Sequence, residues 1–215
     1  MRSEPGLERA APGPARGHCS RGRRAGHATR LAEAVLLLAC LLSGWAWAAL
    51  DEAYTPRDPY THFFEQTFGD FQEELQRARE EGKLGVLLFF EQEECPFCHR
   101  MKDTVLNRPD VQAWFRARFL AFAVDIEGDM EITDFRGRAM TMKTWSERVH
   151  RVRATPVFLF VDLEGRPVAR YTGATSGPEE FLLLGRYVAE RAYERMSFAR
   201  YKRMMRRRAR GADEG

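Results

Sequence analysis

The feature that most constrains this chain is an apolar run from Leu84 to Phe90 that leads, through Glu91-Gln92-Glu93-Glu94, into Cys95-Pro96-Phe97-Cys98. A run that is apolar at both odd and even positions predicts a strand covered on both faces, and therefore the middle of a sheet. The cysteine and proline that follow predict a helix start. Cys95 would be the N-cap and Pro96 the first helical residue, where a missing N–H costs nothing. Two thiols at C-x-x-C spacing there lie close enough to form a reversible disulfide. Unpaired backbone N–H groups and the helix dipole would point at the Cys95 sulfur and stabilise its thiolate. Cys98, one turn deeper, would be the less accessible thiol.

Cysteine usage supports chemistry over stapling. The chain has four cysteines, and Cys19 and Cys40 fall in an N-terminal segment that reads as an export signal. That segment has a basic stretch from Arg21 to Arg30, an apolar core from Ala34 to Leu42, and the small-x-small pattern Ala46-Trp47-Ala48. Cleavage is expected after Ala48, leaving only the C-x-x-C pair, whereas secreted proteins stapled by disulfides carry more cysteines at wider spacing. Arg23-Arg24 as a twin-arginine signal, Leu38-Ala39-Cys40 as a lipoprotein site and Ala34–Leu50 as an uncleaved single-span anchor are the alternatives. All of them place the protein outside the cytoplasm, in the periplasm. The whole-chain charge is +3, yet residues 49–190 carry 18 basic and 25 acidic residues and the last twenty-five are strongly basic. This balance does not suggest nucleic-acid binding.

The expected organisation is an export signal over 1–48, a Pro- and Asp-containing linker over 49–62, one folded domain over 63–193 and a basic tail over 194–215. Phe64, Phe68, Phe71 and Leu75 predict an amphipathic helix from Phe63 to Glu81. After the Leu84–Phe90 strand, a helix is expected from Cys95 to about Leu106, and Pro109 opens another with Val111, Trp114, Phe115 and Phe119 inward. Leu120–Val124 reads as a strand, Glu127–Lys143 as a polar insertion, and Thr144–Val152 as a short helix. Val157–Val161 and Val168–Tyr171 read as strands of a hairpin around Glu164-Gly165, followed by a helix from Pro178. This order predicts an α/β domain with a mixed central sheet between helical layers. Trp114 and Trp145 are expected in the core.

With Phe89-Phe90-Glu91, Cys95-Pro96-Phe97-Cys98, Asp129-Met130, Phe135-Arg136-Gly137 and Ala154-Thr155-Pro156-Val157-Phe158, the chain resembles the thioredoxin fold over about Phe63 to Tyr193. Within that fold it is most similar to the SoxW-type periplasmic thioredoxins encoded with sulfur-oxidation systems. The resemblance implies a thioredoxin fold, to which the residues of this chain add an N-terminal helix and a basic C-terminal helix. It also implies a cis Pro156 lying against Cys95, with Thr155 turned toward an extended substrate. Cys95 and Cys98 are then the catalytic pair, supported by Pro96, Phe97, Thr155 and Pro156. The partners implied are protein disulfides, with electrons from a membrane thiol carrier and targets in sulfur oxidation or cytochrome maturation; no bound cofactor is implied. Two positions depart from thioredoxins. Glu94 replaces a tryptophan, and Phe89 replaces a buried aspartate that accepts a proton, so Glu91, Glu94 and His99 are the candidates for tuning the cysteines.

Three other readings compete. Cys98-His99 completes C-x-x-C-H, the attachment signature of a c-type haem. Two thiols and one histidine are too few for a closed zinc site without a fourth ligand. A binding module with a fixed disulfide is the non-enzymatic reading. For the direction of exchange, Glu91, Glu93 and Glu94 near Cys95 would destabilise its thiolate and favour a reductant; glutamates that are solvated and screened are the alternative. The 127–143 insertion is either a substrate-selecting loop or decoration. The basic tail is expected to be a solvated or frayed terminus; a membrane-surface helix and a site for an acidic partner are its alternatives.

Overall fold

The Leu84–Phe90 run forms strand β1 (Gly85–Glu91), buried at every position. The computed structural model describes residues 55–213, so the expected export segment and the start of the expected linker lie outside the described residues. Preceding β1 are a short helix α1 (Pro59–His62) and α2 (Phe71–Glu80). After β1 come α3 (Pro96–Met101), continued by a π-helical turn over Lys102–Leu106, then α4 (Pro109–Arg116) and β2 (Phe119–Asp125). A small hairpin, β3 (Glu131–Thr133) and β4 (Ala139–Thr141), leads into α5 (Met142–Thr144) and a second π-helical turn over Trp145–Val149. Strands β5 (Val157–Val161) and β6 (Pro167–Thr172) and helices α6 (Pro178–Ala189) and α7 (Phe198–Asp213) complete the domain.

The main sheet has the order β2-β1-β5-β6, with β2 parallel to β1 and the β1–β5 and β5–β6 pairs antiparallel. The period of two along each strand assigns its side chains to two cores. Leu87 and Phe89 of β1, Phe119 and Ala121 of β2, and Phe158 and Phe160 of β5 join α3, α4, α6 and α7 on one face. Val86, Leu88 and Phe90, with Phe122 and Leu159, join α2 and the 132–152 segment on the other. This is the thioredoxin fold: a mixed sheet flanked by helices, with an additional C-terminal helix. Helices α4 and α6 approach closely at Gly185, where an added Cβ would lie 2.3 Å from the Trp114 ring. Trp145 is fully buried against Phe71, while Trp114 is only partly buried, stacked under Arg118.

Four expectations are corrected. The helix from Phe63 to Glu81 is only Phe71–Glu80. Asp70 caps it by accepting from the N–H groups of Gln72 and Glu73, Gly69 before it has φ +95°, and Phe68 is fully exposed. The reason is topological. Phe63 and Phe64 belong to the core on the α3 face and Phe71 and Leu75 to the opposite core. Between them the chain crosses the β2 edge, where the Glu65 N–H donates to the Ala121 carbonyl at 2.7 Å. The linker reading fails from Pro59 onward, because α1 is formed and Pro59 is buried.

The 127–143 segment is more than a polar insertion. Its hairpin buries Ile132, and Phe135 packs against Phe71 and Trp145. Fourth, the C-terminal segment is docked rather than frayed. Tyr201 is buried, its ring lies 5.4 Å from that of Tyr187, and its hydroxyl donates to Glu190 at 2.8 Å. Burial, reinforced by that acceptor, pushes the Tyr201 phenol up to about 12. Lys202 also pairs with Glu180 on α6.

Candidate functional site

At the C-terminal end of β1 the chain turns through Gln92–Glu94 into α3. Cys95 is extended (φ −108°, ψ 101°) and caps the helix, with Pro96 as its first residue. The Cys98 N–H donates to Cys95 Sγ at 3.1 Å, and the Cys98 and His99 N–H groups bond to the Cys95 carbonyl at 3.0 and 3.1 Å. This is the arrangement that stabilises negative charge on the Cys95 sulfur when the pair is reduced. Here Cys95 and Cys98 form a disulfide with Cα atoms 5.2 Å apart. Both cysteines are buried, Cys98 completely and Cys95 with 4% exposure. Pro96 and Phe97 lie outside; Phe97 is 57% exposed and gives the motif an apolar outer surface.

The Thr155–Pro156 peptide bond is cis. Pro156 is buried, Thr155 is half-buried, and the Thr155 hydroxyl donates to Gln92 Oε1 at 3.2 Å. That bond ties the proline loop to the turn entering the cysteine motif. Gln92 was not singled out from the sequence, where nothing marks it.

Of the three tuning candidates, the structure buries one. Glu91 continues the alternation of Leu87 and Phe89 and so enters the α3 face, with 7% exposure. Its carboxylate accepts from Tyr60 Oη at 2.7 Å and from Lys102 Nζ at 2.6 Å, and Lys102 Nζ also donates to Tyr60 Oη at 2.8 Å. The Lys102 ammonium lies 5.0 Å from the centre of the Tyr60 ring. Burial alone would lower the Lys102 pKa, but Glu91 and Tyr60 outweigh it and hold the ammonium charged. Burial raises the Tyr60 phenol. Glu91 is therefore a neutralised carboxylate, not a free one beside the disulfide. Glu94 is exposed. His99 is exposed too, with Nε2 2.7 Å from the Glu93 carbonyl oxygen. A cavity of about 250 Å³ lies between Tyr60, Gln92, His99, Lys102 and Asp125. Tyr60 and Lys102 went unnoticed in the sequence. Lys102 had a signal, since four residues after Cys98 place it on the same helix face. Tyr60 had none.

Among the described residues no group of three or more His, Cys, Asp or Glu side chains is arranged to hold a metal ion, and no helix is long and apolar enough to cross a membrane. The disulfide engages both sulfurs that a covalent haem would need.

The family described as thioredoxin-like domain matches residues 71–189. No curated protein matches the chain. Similar solved structures include a thioredoxin from Thermus thermophilus, 29% identical, covering 56% of this chain and 85% of that one with a TM-score of 0.45. A thioredoxin-fold protein from Helicobacter pylori is 18% identical, covering 56% and 83%, with a TM-score of 0.46. A DsbH oxidoreductase is 17% identical, covering 63% and 90%, with a TM-score of 0.44.

Proposed function

The chain belongs to the thioredoxin-like domain family, and from that premise we propose that it is a thiol–disulfide oxidoreductase that reduces disulfides of exported partner proteins outside the cytoplasm. The observation that carries this reading is the Cys95–Cys98 disulfide at the N-terminus of α3, with backbone N–H groups turned toward Cys95. In the reduced protein the Cys95 thiolate attacks one sulfur of a substrate disulfide. A mixed disulfide forms and the other substrate sulfur leaves as a thiolate. Cys98, deprotonated, then attacks the Cys95 sulfur, releases the second substrate thiolate and restores the intramolecular disulfide. The substrate gains two electrons, and an external dithiol must return them. A membrane thiol carrier is the proposed donor. The resemblance to SoxW-type periplasmic thioredoxins supports targets in sulfur oxidation or cytochrome maturation. Exposed Phe97 and the Thr155 loop would receive the extended substrate.

Trapping tests the assignment of roles. Cys98→Ser should accumulate mixed disulfides with natural partners and Cys95→Ser almost none. The reduced wild type should also reduce insulin when supplied with dithiol. Equal trapping by both variants, or no insulin reduction, would leave the disulfide as a fixed clasp. A Soret band after export of the chain would return the haem reading.

A further inference from the structure

Helix α7 separates its two sides by chemistry. Its inward side is used: Phe198 packs on Tyr171 and Tyr187, Tyr201 is buried, and Lys202 pairs with Glu180. At 100° per residue, Arg200, Arg203, Arg206, Arg207 and Arg210 fall on the outward side, and all five are exposed. None has an ion-pair partner among the described residues. The sixteen-residue helix is about 24 Å long, so the arginines form a ridge with a charge at every turn.

We propose that this ridge docks the protein on a bilayer of anionic phospholipids through headgroup phosphates. Four observations favour that occupant over a protein. The apolar side chains of α7 are already used, so the ridge lacks the buried apolar anchor on which protein interfaces concentrate their energy. The exposed cations are all arginines, whose planar fork pairs two-fold with phosphate oxygens. A plane of headgroups needs no register with a straight ridge. The rest of the domain is acidic, with 18 basic against 25 acidic residues over 49–190, so an anionic surface attracts α7 while repelling the body. Adsorption is then electrostatic, with no side chain inserted among the acyl chains. It is separate from the cysteine chemistry.

The test uses the full chain and vesicles of phosphatidylcholine with or without phosphatidylglycerol. The readout is the ratio of partition onto anionic and neutral vesicles, which removes any contribution of the apolar 34–50 segment. Each arginine neutralised should lower that ratio about fivefold, so Arg203→Gln/Arg207→Gln/Arg210→Gln should lower it about a hundredfold. The corresponding triple lysine variant should retain most of it. Near 1 M salt, where the screening length falls to about 3 Å, the wild-type preference should vanish. Anionic vesicles alone should slow tryptic cleavage at Arg206–Arg208, and insulin reduction should be unchanged in all variants. An equal ratio for wild type and the glutamine variant would overturn the proposal. So would low-salt self-association that the glutamine variant abolishes without any anionic preference, because a second copy would then occupy the ridge.

Discussion

Lys102→Met should be among the most damaging single changes near the cysteines. It leaves the Glu91 carboxylate, whose side chain is only 9% exposed, facing Tyr60 alone. Breaking a buried pair from one side costs about 3–5 kcal/mol, because an uncompensated charge stays indoors. With a urea slope of about 3 kcal/mol per M, the unfolding midpoint should fall by roughly 1–1.5 M. Glu91→Gln/Lys102→Met should recover most of the loss, and the coupling energy of the cycle should exceed about 2 kcal/mol.

The same cycle should move the redox potential in opposite directions. Glu91→Gln leaves an unbalanced cation one helical turn from Cys98, which favours the Cys95 thiolate and makes the pair more oxidising. Lys102→Met leaves an unbalanced anion and makes it more reducing. Each change is on the order of 1 kcal/mol, or about 20 mV for a two-electron couple, and the double variant should return close to wild type. Glutathione equilibration measures the potentials. A Lys102→Met cost below about 1 kcal/mol, or shifts of the same sign in both single variants, would refute the reading of a neutralised buried pair.

Glu94→Gln should raise the potential by less than about 10 mV, and about 1 M salt should abolish the difference, since Glu94 is exposed. Gly185→Ala should destabilise the domain by about 1–3 kcal/mol in a thermal melt, because its Cβ would lie 2.3 Å from the Trp114 ring and 2.8 Å from that of Phe115. For Glu180, burial pushes the pKa up, but Lys202 and Ser176 outweigh it and hold the carboxyl at about 2, below the ordinary 4.5. A depressed folded-state pKa stabilises the charged form. The contribution of Glu180 to docking of α7 should therefore be complete above about pH 4.5 and lost as pH falls toward 2. Near-UV circular dichroism of the tyrosines around Tyr201 should follow that loss, and Lys202→Met should weaken it.

What was legible in the sequence was contiguous and local. The strand β1, the helix start at Cys95-Pro96, the hairpin at Glu164-Gly165 and the helix from Pro178 each follow from neighbours within one element. The N-terminal helix misled because its periodicity was genuine but incomplete. Phe64, Phe68, Phe71 and Leu75 fit a helical stripe, yet Phe63 and Phe64 serve one face of the sheet and Phe71 the other. A single helix cannot bury both. The decisive signal was the stop before Phe71, where Gly69 and Asp70 precede Glu73 in the pattern of a helix N-terminus. Likewise the basic tail conceals its docking side, since Tyr201 is one aromatic among arginines and its pocket exists only once α6 is folded.

Charge counting near the cysteines failed for a related reason. Glu91, Glu93 and Glu94 form one acidic run in the sequence, which reads either as opposing the Cys95 thiolate or as a solvated face. The end of β1 at Glu91 separates them, because Glu93 and Glu94 lie in the exposed turn beyond the strand. Glu91 shares the face of Leu87 and Phe89, and a carboxylate there requires a partner, which Lys102 supplies from the helix that begins at the disulfide. Glu93 and Glu94 remain outside, where water and salt screen them. The fixed field at Cys95 then comes chiefly from the helix N-terminus, whose donors are unscreened because the sulfur is buried against them. The acidic run is thus a weaker argument for a reductant than its sequence suggests. That argument passes to the exposed pair, so Glu93→Gln/Glu94→Gln should shift the potential by no more than about twice the Glu94→Gln change, and high salt should remove the shift entirely.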